Sequence, residues 1–273
     1  MKYSKTLKEL FAGITLNAED LLLLETFQIK YLPNRVPKKE FSVLLRANPI
    51  IHRYLISKYP PIEDFISAIL KENKPINNKS TIDEYCQELL WEIADLIVYN
   101  KYPEIYDAKV EFAWDFREIT SVTSLEGKVV IDAGAGTGRL AFLAAQFAET
   151  VFAVEPVSSL RRFIRDKANK ENVKNLFVVD GFLDSIPLPD NSADVLMTSN
   201  AIGWNLKDEL KEIERVLKPN ACAIHLLRNS DPKAENPLHD ILISPDWEYV
   251  CTEYQDTTGL KLKYYKTIKK SKE

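Results

Sequence analysis

Two patterns of apolar and polar positions divide the chain near residue 116. Before this point, apolar residues recur at the three- and four-residue spacing of a buried helix face. One such face is formed by Ile62, Phe65, Ile66, Ile69 and Leu70. Thr81, followed three residues later by Glu84, has the spacing of a capping box and predicts the start of another helix. Residues 1–116 are therefore predicted to form an all-α N-terminal domain.

After residue 116, short apolar runs alternate with stretches of helical spacing. The predicted strands are Val129–Ile131, Val151–Val154, Leu176–Val179, Ala193–Met197 and Cys222–Leu227, and the predicted helices are Leu140–Phe147, Ser158–Lys170 and Lys207–Leu217. This alternation is typical of a parallel sheet with helices on both faces. Tyr249–Tyr254 and Leu260–Ile268 predict a C-terminal hairpin with an antiparallel strand at the sheet edge. Residues 117–273 are thus predicted to be an α/β domain with a doubly wound, mostly parallel, seven-stranded sheet.

Composition and charge are those of an ordinary globular protein. Hydrophobic residues make up 45% and charged residues 28% of the chain, and 36 basic against 40 acidic residues give a formal charge of −4. This mild acidity gives no general attraction to nucleic acid or to an anionic membrane. No apolar run approaches the roughly 20 residues of a membrane helix, so we expect a cytoplasmic protein without a membrane partner. Three cysteines and three histidines show no zinc spacing, and we expect no metal.

Glycine is scarce and concentrated at one place in the α/β domain. Three of the eight glycines, Gly134, Gly136 and Gly138, fall within five residues, after the first predicted strand and before a helix. Glycine is favoured where the backbone adopts unusual dihedral angles or approaches a ligand closely. In a doubly wound sheet, ligands bind beyond the carboxyl ends of the strands. This turn is therefore the predicted ligand site.

The residues of the turn distinguish two nucleotide-type ligands. Dinucleotide-binding turns follow G-x-G-x-x-G, but the sixth position counted from Gly134 is the bulky Arg139. Asp132, two residues before the first glycine, would repel a pyrophosphate. An acid at this strand end instead suits a ligand that carries a cationic amine and a sulfonium. The turn argues against NAD, and an NAD-dependent oxidoreductase is kept as an alternative.

Residues 129–140, with the sequence VVIDAGAGTGRL, resemble motif I of the class I, Rossmann-like S-adenosylmethionine-dependent methyltransferases, commonly E/D-x-G-x-G-x-G. The resemblance extends over about residues 117–273. It implies S-adenosylmethionine as the cofactor and methyl transfer as the reaction. Within the turn, it implies cofactor contacts from Asp132, Ala133, Gly134, Gly136 and Gly138.

Later strand ends match further motifs of the same family. Glu155-Pro156, after the second strand, matches the acid that accepts both ribose hydroxyls. Asp180-Gly181, after the third strand, resembles the position where an aspartate bonds the adenine amine. Asn200, after the fourth strand, matches the segment beside the methionine moiety and the incoming substrate. The resemblance thus implies a cofactor site that extends along the sheet edge.

The spacing of these residues is consistent with such a row independently of the resemblance. The successive intervals are 23 residues from Asp132 to Glu155, 25 from Glu155 to Asp180 and 20 from Asp180 to Asn200. Each interval fits one strand plus one crossover helix. We therefore expect the four side chains side by side at one edge of the sheet.

The methyl acceptor is the least determined part of the prediction. Trp204 and Asn205, in the loop after the fourth strand, are candidates for a substrate pocket, with plain packing as an equal alternative for Trp204. This loop lacks the N/D-P-P-Y/F run of amino-methylating nucleic-acid enzymes. A small molecule is therefore favoured as the acceptor. Alternatives are an RNA or protein acceptor, an aminopropyl transfer, and a non-catalytic module that binds S-adenosylmethionine.

The sequence assigns no residue as the general base, and we interpret the C-terminal lysines as structural. His225 lies inside the fifth apolar run and is interpreted as a core residue, whereas His239 lies in the loop after it. Residues 260–273 contain six lysines against one glutamate. Because Lys261 and Lys263 alternate with leucines, they are predicted to lie on the solvent face of an edge strand, where lysine also deters aggregation.

Overall fold

The structure, a computed structural model, describes residues 6–109, 111, 113–229, 232 and 234–269. The chain divides into two compact units, Met1–Tyr106 and Asp107–Glu273. This division precedes the boundary that the sequence predicts after residue 116.

The first unit is built from short helices around an apolar core. These helices are α1 (Leu7–Leu10), α2 (Thr26–Arg35), α3 (Lys38–Ala47), α4 (Pro49–Lys58), α5 (Glu63–Glu72), α6 (Lys79–Glu92) and α7 (Ala94–Lys101), and α8 (Pro103–Asp107) follows. Turns of 3₁₀ helix lie at Ala18–Leu23 and Pro60–Ile62. Apolar side chains from Leu16 to Ile97 form one buried cluster. The predicted helical character of this part of the chain is confirmed.

Helix α6 begins at a different cap from the predicted one. Asn78 is the N-cap, and its side-chain oxygen accepts a hydrogen bond from the N–H of Thr81 at 3.0 Å. Asparagine and threonine are both common N-caps, so the sequence offers two starting points three residues apart, and the earlier one is used. The prediction that Thr81 caps the helix is therefore wrong.

In the part of the chain that the structure describes, the second unit contains a seven-stranded sheet. Its strands are β1 (Val129–Ala133), β2 (Thr150–Val154), β3 (Leu176–Val179), β4 (Ala193–Ser199), β5 (Leu217–Arg228), β6 (Val250–Asp256) and β7 (Gly259–Thr267), in the order β3-β2-β1-β4-β5-β7-β6. The strands β1 to β5 pair in parallel, and β7 pairs antiparallel with β5 and β6. The predicted fold class is confirmed. The strand order reverses between β1 and β4, which is where ligands bind in sheets of this kind.

Helices cover both faces of this sheet. They are α9 (Arg117–Thr120), α10 (Arg139–Ala144), α11 (Ser158–Lys170), α12 (Leu206–Val216) and α13 (Pro237–Leu242). One apolar layer includes Leu140 of α10 and Ile164 of α11, and the other includes Leu210 of α12 and Leu242 of α13. Because both faces are buried, the loops at the carboxyl ends of the strands are where this unit can present polar chemistry.

The C-terminal hairpin overturns one prediction. β7 lies between β5 and β6, so the antiparallel strand is internal and β6 is the edge strand. Lys261 and Lys263 of β7 are only 0% and 8% exposed instead of facing solvent. Lys261 donates to the carbonyl oxygen of Ala113 at 2.9 Å and forms an ion pair with Asp256, and Lys263 pairs with Glu118 at 2.7 Å. These partners compensate the cost of burying two ammonium groups.

Side-chain contacts explain why the second unit begins before residue 116. Nη2 of Arg139 donates to the carbonyl oxygen of Lys109 at 2.8 Å. Nζ of Lys167 forms an ion pair with the carboxylate of Asp107 at 2.9 Å. These bonds attach the segment after Tyr106 to α10 and α11, so it is part of the second unit.

Three further features concern membrane spans, metal sites and cysteines. None of the helices among the described residues combines the length and apolar character required to cross a bilayer. In the same part of the chain, no group of three or more His, Cys, Asp and Glu side chains is arranged to hold a metal ion. Cys86, Cys222 and Cys251 are free cysteines.

We predict that the buried ion pair of β7 contributes strongly to stability. Lys261→Ala should lower the free energy of unfolding by about 2 kcal/mol, because it removes a buried ammonium that bonds to the carbonyl oxygen of Ala113 and pairs with the half-buried carboxylate of Asp256. Lys269→Ala is the control, since this side chain is 81% exposed, and it should cost less than about 1 kcal/mol. Urea denaturation of both variants measures the difference. Equal small losses would contradict the assignment.

Candidate functional site

The turn between β1 and α10 is tightly packed at one glycine and open at the next. Gly134 and Gly136 have left-handed backbones, with φ of 70° and 58°. A Cβ on Gly134 would lie 2.4 Å from the Cβ of Ala201 after β4, so this close approach requires glycine. A Cβ on Gly136 would meet no atom within 4 Å. The turn therefore contacts the segment after β4 at Gly134 and faces open space at Gly136.

Asp132 is buried near the end of β1, with 1% of its surface exposed. Oδ2 accepts a hydrogen bond from the N–H of Ala141 in α10 at 2.9 Å, whereas Oδ1 is buried without a hydrogen-bond partner. Burial raises the pKa of Asp132 to about 7, although the N–H of Ala141 lowers it, and the charge of Glu155 adds to the rise. A buried acceptor without a donor is costly, and a ligand donor would relieve that cost.

Glu155 follows β2 and joins the ends of two strands. Its side chain is buried: Oε2 accepts from the N–H of Gly136 at 2.8 Å and Oε1 from the N–H of Val157 at 2.9 Å. Burial raises the pKa of Glu155 to about 7, while these two N–H groups and the charge of Arg161 lower it. Pro156 is half-buried in the turn that leads into α11. Glu155 thus ties the glycine turn to the end of β2.

Asp180 follows β3 and is the exposed member of the row. Its carboxylate is 68% exposed and forms an ion pair with Arg161, with 2.9 Å between Oδ1 and Nη1. The charge of Asp180 raises the pKa of Glu155, just as the charge of Glu155 raises the pKa of Asp132. Gly181 is closely packed, since a Cβ there would lie 2.6 Å from a proline side chain. The three predicted acids thus lie at the ends of the adjacent strands β1, β2 and β3, and their roles as cofactor contacts stay a prediction.

Asn200 follows β4 and is engaged with β5. Its φ is 51°, its Oδ1 accepts from the N–H of Arg228 at 3.0 Å, and its own N–H donates to the carbonyl oxygen of Leu226 at 2.9 Å. This side chain therefore helps to hold the end of β5 beside β4. Contact between Asn200 and a cofactor stays a prediction.

A buried carboxylate fixes the loop that carries the two predicted substrate residues. Glu209, in the first turn of α12, is 2% exposed. It accepts hydrogen bonds from the N–H groups of Gly203, Trp204 and Asn205 at 2.6, 2.9 and 2.9 Å. Trp204 itself is 62% exposed, and the amide of Asn205 donates to Asp184 at 2.9 Å. The loop backbone is held while the indole remains accessible, and the substrate roles of Trp204 and Asn205 stay predictions.

Two residues of this region, Glu209 and Arg161, were missed by the sequence analysis. An acid in a first helical turn usually complements the helix dipole. The sequence therefore gave no reason to expect that Glu209 binds the backbone of the preceding loop. Arg161 gave a signal, because a base near a helix N-terminus opposes the dipole and α11 has no acid in its first turn. Its partners are the carbonyl oxygen of Glu155 at 2.9 Å and the carboxylate of Asp180.

The histidines of the second unit are hydrogen-bonded within the structure. His225 is fully buried in β5, with Thr198 Oγ1 at 2.9 Å from Nδ1 and Tyr249 OH at 3.2 Å from Nε2. Burial lowers the pKa of His225 to about 3, so the ring is neutral at physiological pH. Its interpretation as a core residue is confirmed. His239 of α13 pairs through Nδ1 with Tyr264 OH at 2.9 Å. We assign neither ring the role of a base.

The charge and shape of the turn fit S-adenosylmethionine. An ammonium and a sulfonium would favour ionisation of the two buried acids, whose pKa values are raised in the protein alone. Each carboxylate has about four acceptor positions, so Glu155 can accept ligand hydroxyls in addition to its two N–H donors. The unpartnered Oδ1 of Asp132 and the open space at Gly136 lie at the same turn. A pyrophosphate would instead add negative charge beside the acids.

Comparisons with known proteins find similarity to methyltransferases. Residues 131–224 match the model of a family described as "Methyltransferase domain". An uncharacterized methyltransferase of Geobacillus sp. (strain WCH70) is 28% identical over 123 residues, which cover 42% of this chain and 55% of that relative. The malonyl-[acyl-carrier protein] O-methyltransferase of Yersinia pestis is 32% identical over 100 residues, 36% of each chain. The chain therefore spans about half or less of the length of these relatives.

A similar solved structure is the SAM-dependent methyltransferase from Aquifex aeolicus, at 20% identity and a TM-score of 0.49, with 58% of this chain and 92% of that chain covered. The family match extends from β1 into β5 and includes the glycine turn, Glu155 and Asp180. Residues 131–224 of the second unit are thus similar to a methyltransferase domain, in agreement with the resemblance to the class I, Rossmann-like S-adenosylmethionine-dependent methyltransferases. S-adenosylmethionine is the cofactor of this class, and the resemblance seen in the sequence is confirmed.

We predict that the buried acids make stability depend on pH. Because the pKa of Asp132 is raised in the folded state, its contribution to stability is present below its unfolded pKa of 3.8 and is lost as pH rises through about 7. Glu155 acts in the same direction. The stability of the wild type relative to Asp132→Asn should therefore fall between about pH 4 and pH 7 and level off above pH 7.

Urea denaturation of the ligand-free protein across this pH range measures the effect. Asp166→Asn, which changes an exposed acid of α11, is the control and should follow the wild type at every pH. A constant difference between wild type and Asp132→Asn would show that Asp132 ionises at the same pH in both states.

Proposed function

We propose that this protein is a methyltransferase that transfers the methyl group of S-adenosylmethionine to a small-molecule acceptor. The observation that carries the proposal is the pair of buried carboxylates, Asp132 and Glu155, beside a glycine turn with open space at Gly136. The family match over residues 131–224 supports the same reaction. The cytoplasmic location stays a prediction from the sequence.

Different residues of the second unit are assigned to bind different parts of the cofactor. When bound, S-adenosylmethionine supplies an electrophilic methyl group on a sulfonium. We assign Glu155 to accept hydrogen bonds from the ribose hydroxyls and Asp180 to accept from the adenine amine. Asp132 provides negative charge for the cationic part of the ligand, and the turn from Ala133 to Gly138 gives it close access to the backbone.

The segment after β4 is assigned to the acceptor. Transfer requires the nucleophile, the methyl group and the sulfur in line, and fixed positioning can contribute about 7–11 kcal/mol. Glu209 supplies such fixation for the loop of Trp204 and Asn205 through three hydrogen bonds. An acceptor whose nucleophilic atom is already deprotonated in solution requires no protein base. The name of the Yersinia pestis relative, a malonyl-[acyl-carrier protein] O-methyltransferase, supports an acceptor other than nucleic acid.

We predict that Glu155→Ala weakens binding of S-adenosylmethionine by about 10- to 100-fold, because hydrogen bonds to a charged group contribute roughly 1.5–3 kcal/mol. Isothermal titration calorimetry measures the affinity. Glu171→Ala, at the exposed C-terminal end of α11, is the control and should bind like the wild type. Unchanged affinity in a folded Glu155→Ala variant would remove this residue from the site.

The acceptor class can be tested with S-adenosylmethionine labelled in its methyl group. The protein is incubated with a cell extract that has been separated into small molecules, RNA and protein. We expect the label in the small-molecule fraction. Label in RNA or protein would establish the alternative acceptor, and cofactor binding without incorporation into any fraction would indicate a non-catalytic module.

A further inference from the structure

Arg161 links the ends of β2 and β3 through a single guanidinium nitrogen. Nη1 donates to the carbonyl oxygen of Glu155 at 2.9 Å and lies 2.9 Å from Oδ1 of Asp180. The two partners differ in exposure: the side chain of Arg161 is 13% exposed, whereas that of Asp180 is 68% exposed. A mostly buried cation therefore holds an accessible carboxylate.

The position of Arg161 opposes the electrostatics of its own helix. It occupies the fourth position of α11, near the positive end of the helix dipole, where an acid would stabilise the helix and a base does not. Its bonds to Glu155 and Asp180 instead point across the carboxyl edge of the sheet. Arg161 is thus placed for a contact outside its helix.

The backbone and the side chain of Asp180 are fixed by different means. The backbone is fixed by the next residue, Gly181, because a Cβ there would lie 2.6 Å from Pro187 and 3.0 Å from Val154. The side chain is in ion-pair contact with Arg161, with 2.9 Å between Oδ1 and Nη1. An ionised carboxylate only accepts hydrogen bonds, and an ion pair through Oδ1 uses part of its acceptor capacity. The oriented Asp180 can therefore select a ligand that presents a donor.

We propose that Arg161 is a positioning residue that orients Asp180 to accept a hydrogen bond from the exocyclic amine of adenine, and thereby selects adenosyl over inosyl ligands. The inference rests on the proposed function, since it requires a cofactor with an adenine base. In an inosyl ligand this amine is replaced by a carbonyl oxygen, which an oriented carboxylate repels.

The test compares calorimetric affinities for S-adenosylhomocysteine and S-inosylhomocysteine. The wild type should prefer the adenosyl ligand by about 10-fold or more. In Arg161→Ala, the preference should fall toward one, because Asp180 is no longer oriented. Asp180→Asn should also lose the preference, since an amide can turn its donor toward the carbonyl oxygen. Arg165→Ala, exposed on the same helix, should keep the wild-type ratio.

The ratio of the two affinities separates positioning from a general structural role. A structural role would weaken both ligands equally, and an unchanged ratio in Arg161→Ala overturns the proposal. If Arg161→Ala does not fold, Arg161→Gln decides by the same ratio, because the amide keeps a donor for the carbonyl oxygen of Glu155 but removes the charge that pairs with Asp180. A wild type that binds both ligands equally overturns the inference and leaves the proposed function intact. A wild type that binds neither ligand overturns both.

Discussion

The carboxylates of Asp132 and Glu155 are buried where β1 and β2 end, and the rest of the site depends on this burial. Their charges are compensated mainly by main-chain N–H groups, of Ala141 for Asp132 and of Gly136 and Val157 for Glu155. The glycine turn supplies one of these donors, and the parallel order of β1 and β2 brings the two acids near each other. The raised pKa values show that compensation is incomplete. A cationic ligand that donates hydrogen bonds would complete it.

The two halves of the carboxyl edge use carboxylates in different ways. On the side of β1, β2 and β3, the acids form a row in which Asp180 is exposed and Asp132 and Glu155 are buried. On the side of β4, the buried Glu209 takes up three backbone N–H groups and fixes a loop. The first arrangement suits recognition of a charged nucleoside. The second suits a rigid wall that presents the exposed Trp204 to a neighbouring molecule.

Local pattern predicted most of the second unit from the sequence. The strands from β1 to β5 and the helices between them have periodic apolar positions. This periodicity locates the strand ends, and the glycines and acids can then be assigned to those ends from the sequence. The burial of Lys261 could not be predicted in this way, because it depends on β7 lying between β5 and β6. Which strand of the hairpin pairs with β5 is decided by contacts between segments that are distant in the sequence. The alternation of lysines and leucines shows only that β7 is a strand and does not show which strands lie beside it.

The residues that support the site were hidden for a related reason. Glu209 accepts hydrogen bonds from main-chain N–H groups of a loop, and such contacts leave no motif in the sequence. Arg161 contacts the carbonyl oxygen of Glu155 and the carboxylate of Asp180, and its only signal is a base near a helix N-terminus. The start of α6 shows a similar limit, since Asn78 and Thr81 are both acceptable caps and the structure uses Asn78. The sequence thus identified the acids at the strand ends more readily than the residues that support the surrounding loops.

A crystal structure of the protein with S-adenosylhomocysteine tests the central claim most directly. The account predicts a nucleoside in the open space at Gly136, with its ribose hydroxyls within hydrogen-bond distance of Glu155 and its amino group on the side of Asp132. A ligand bound elsewhere, with the turn still empty and both oxygens of Glu155 bonded only to the backbone, would contradict it.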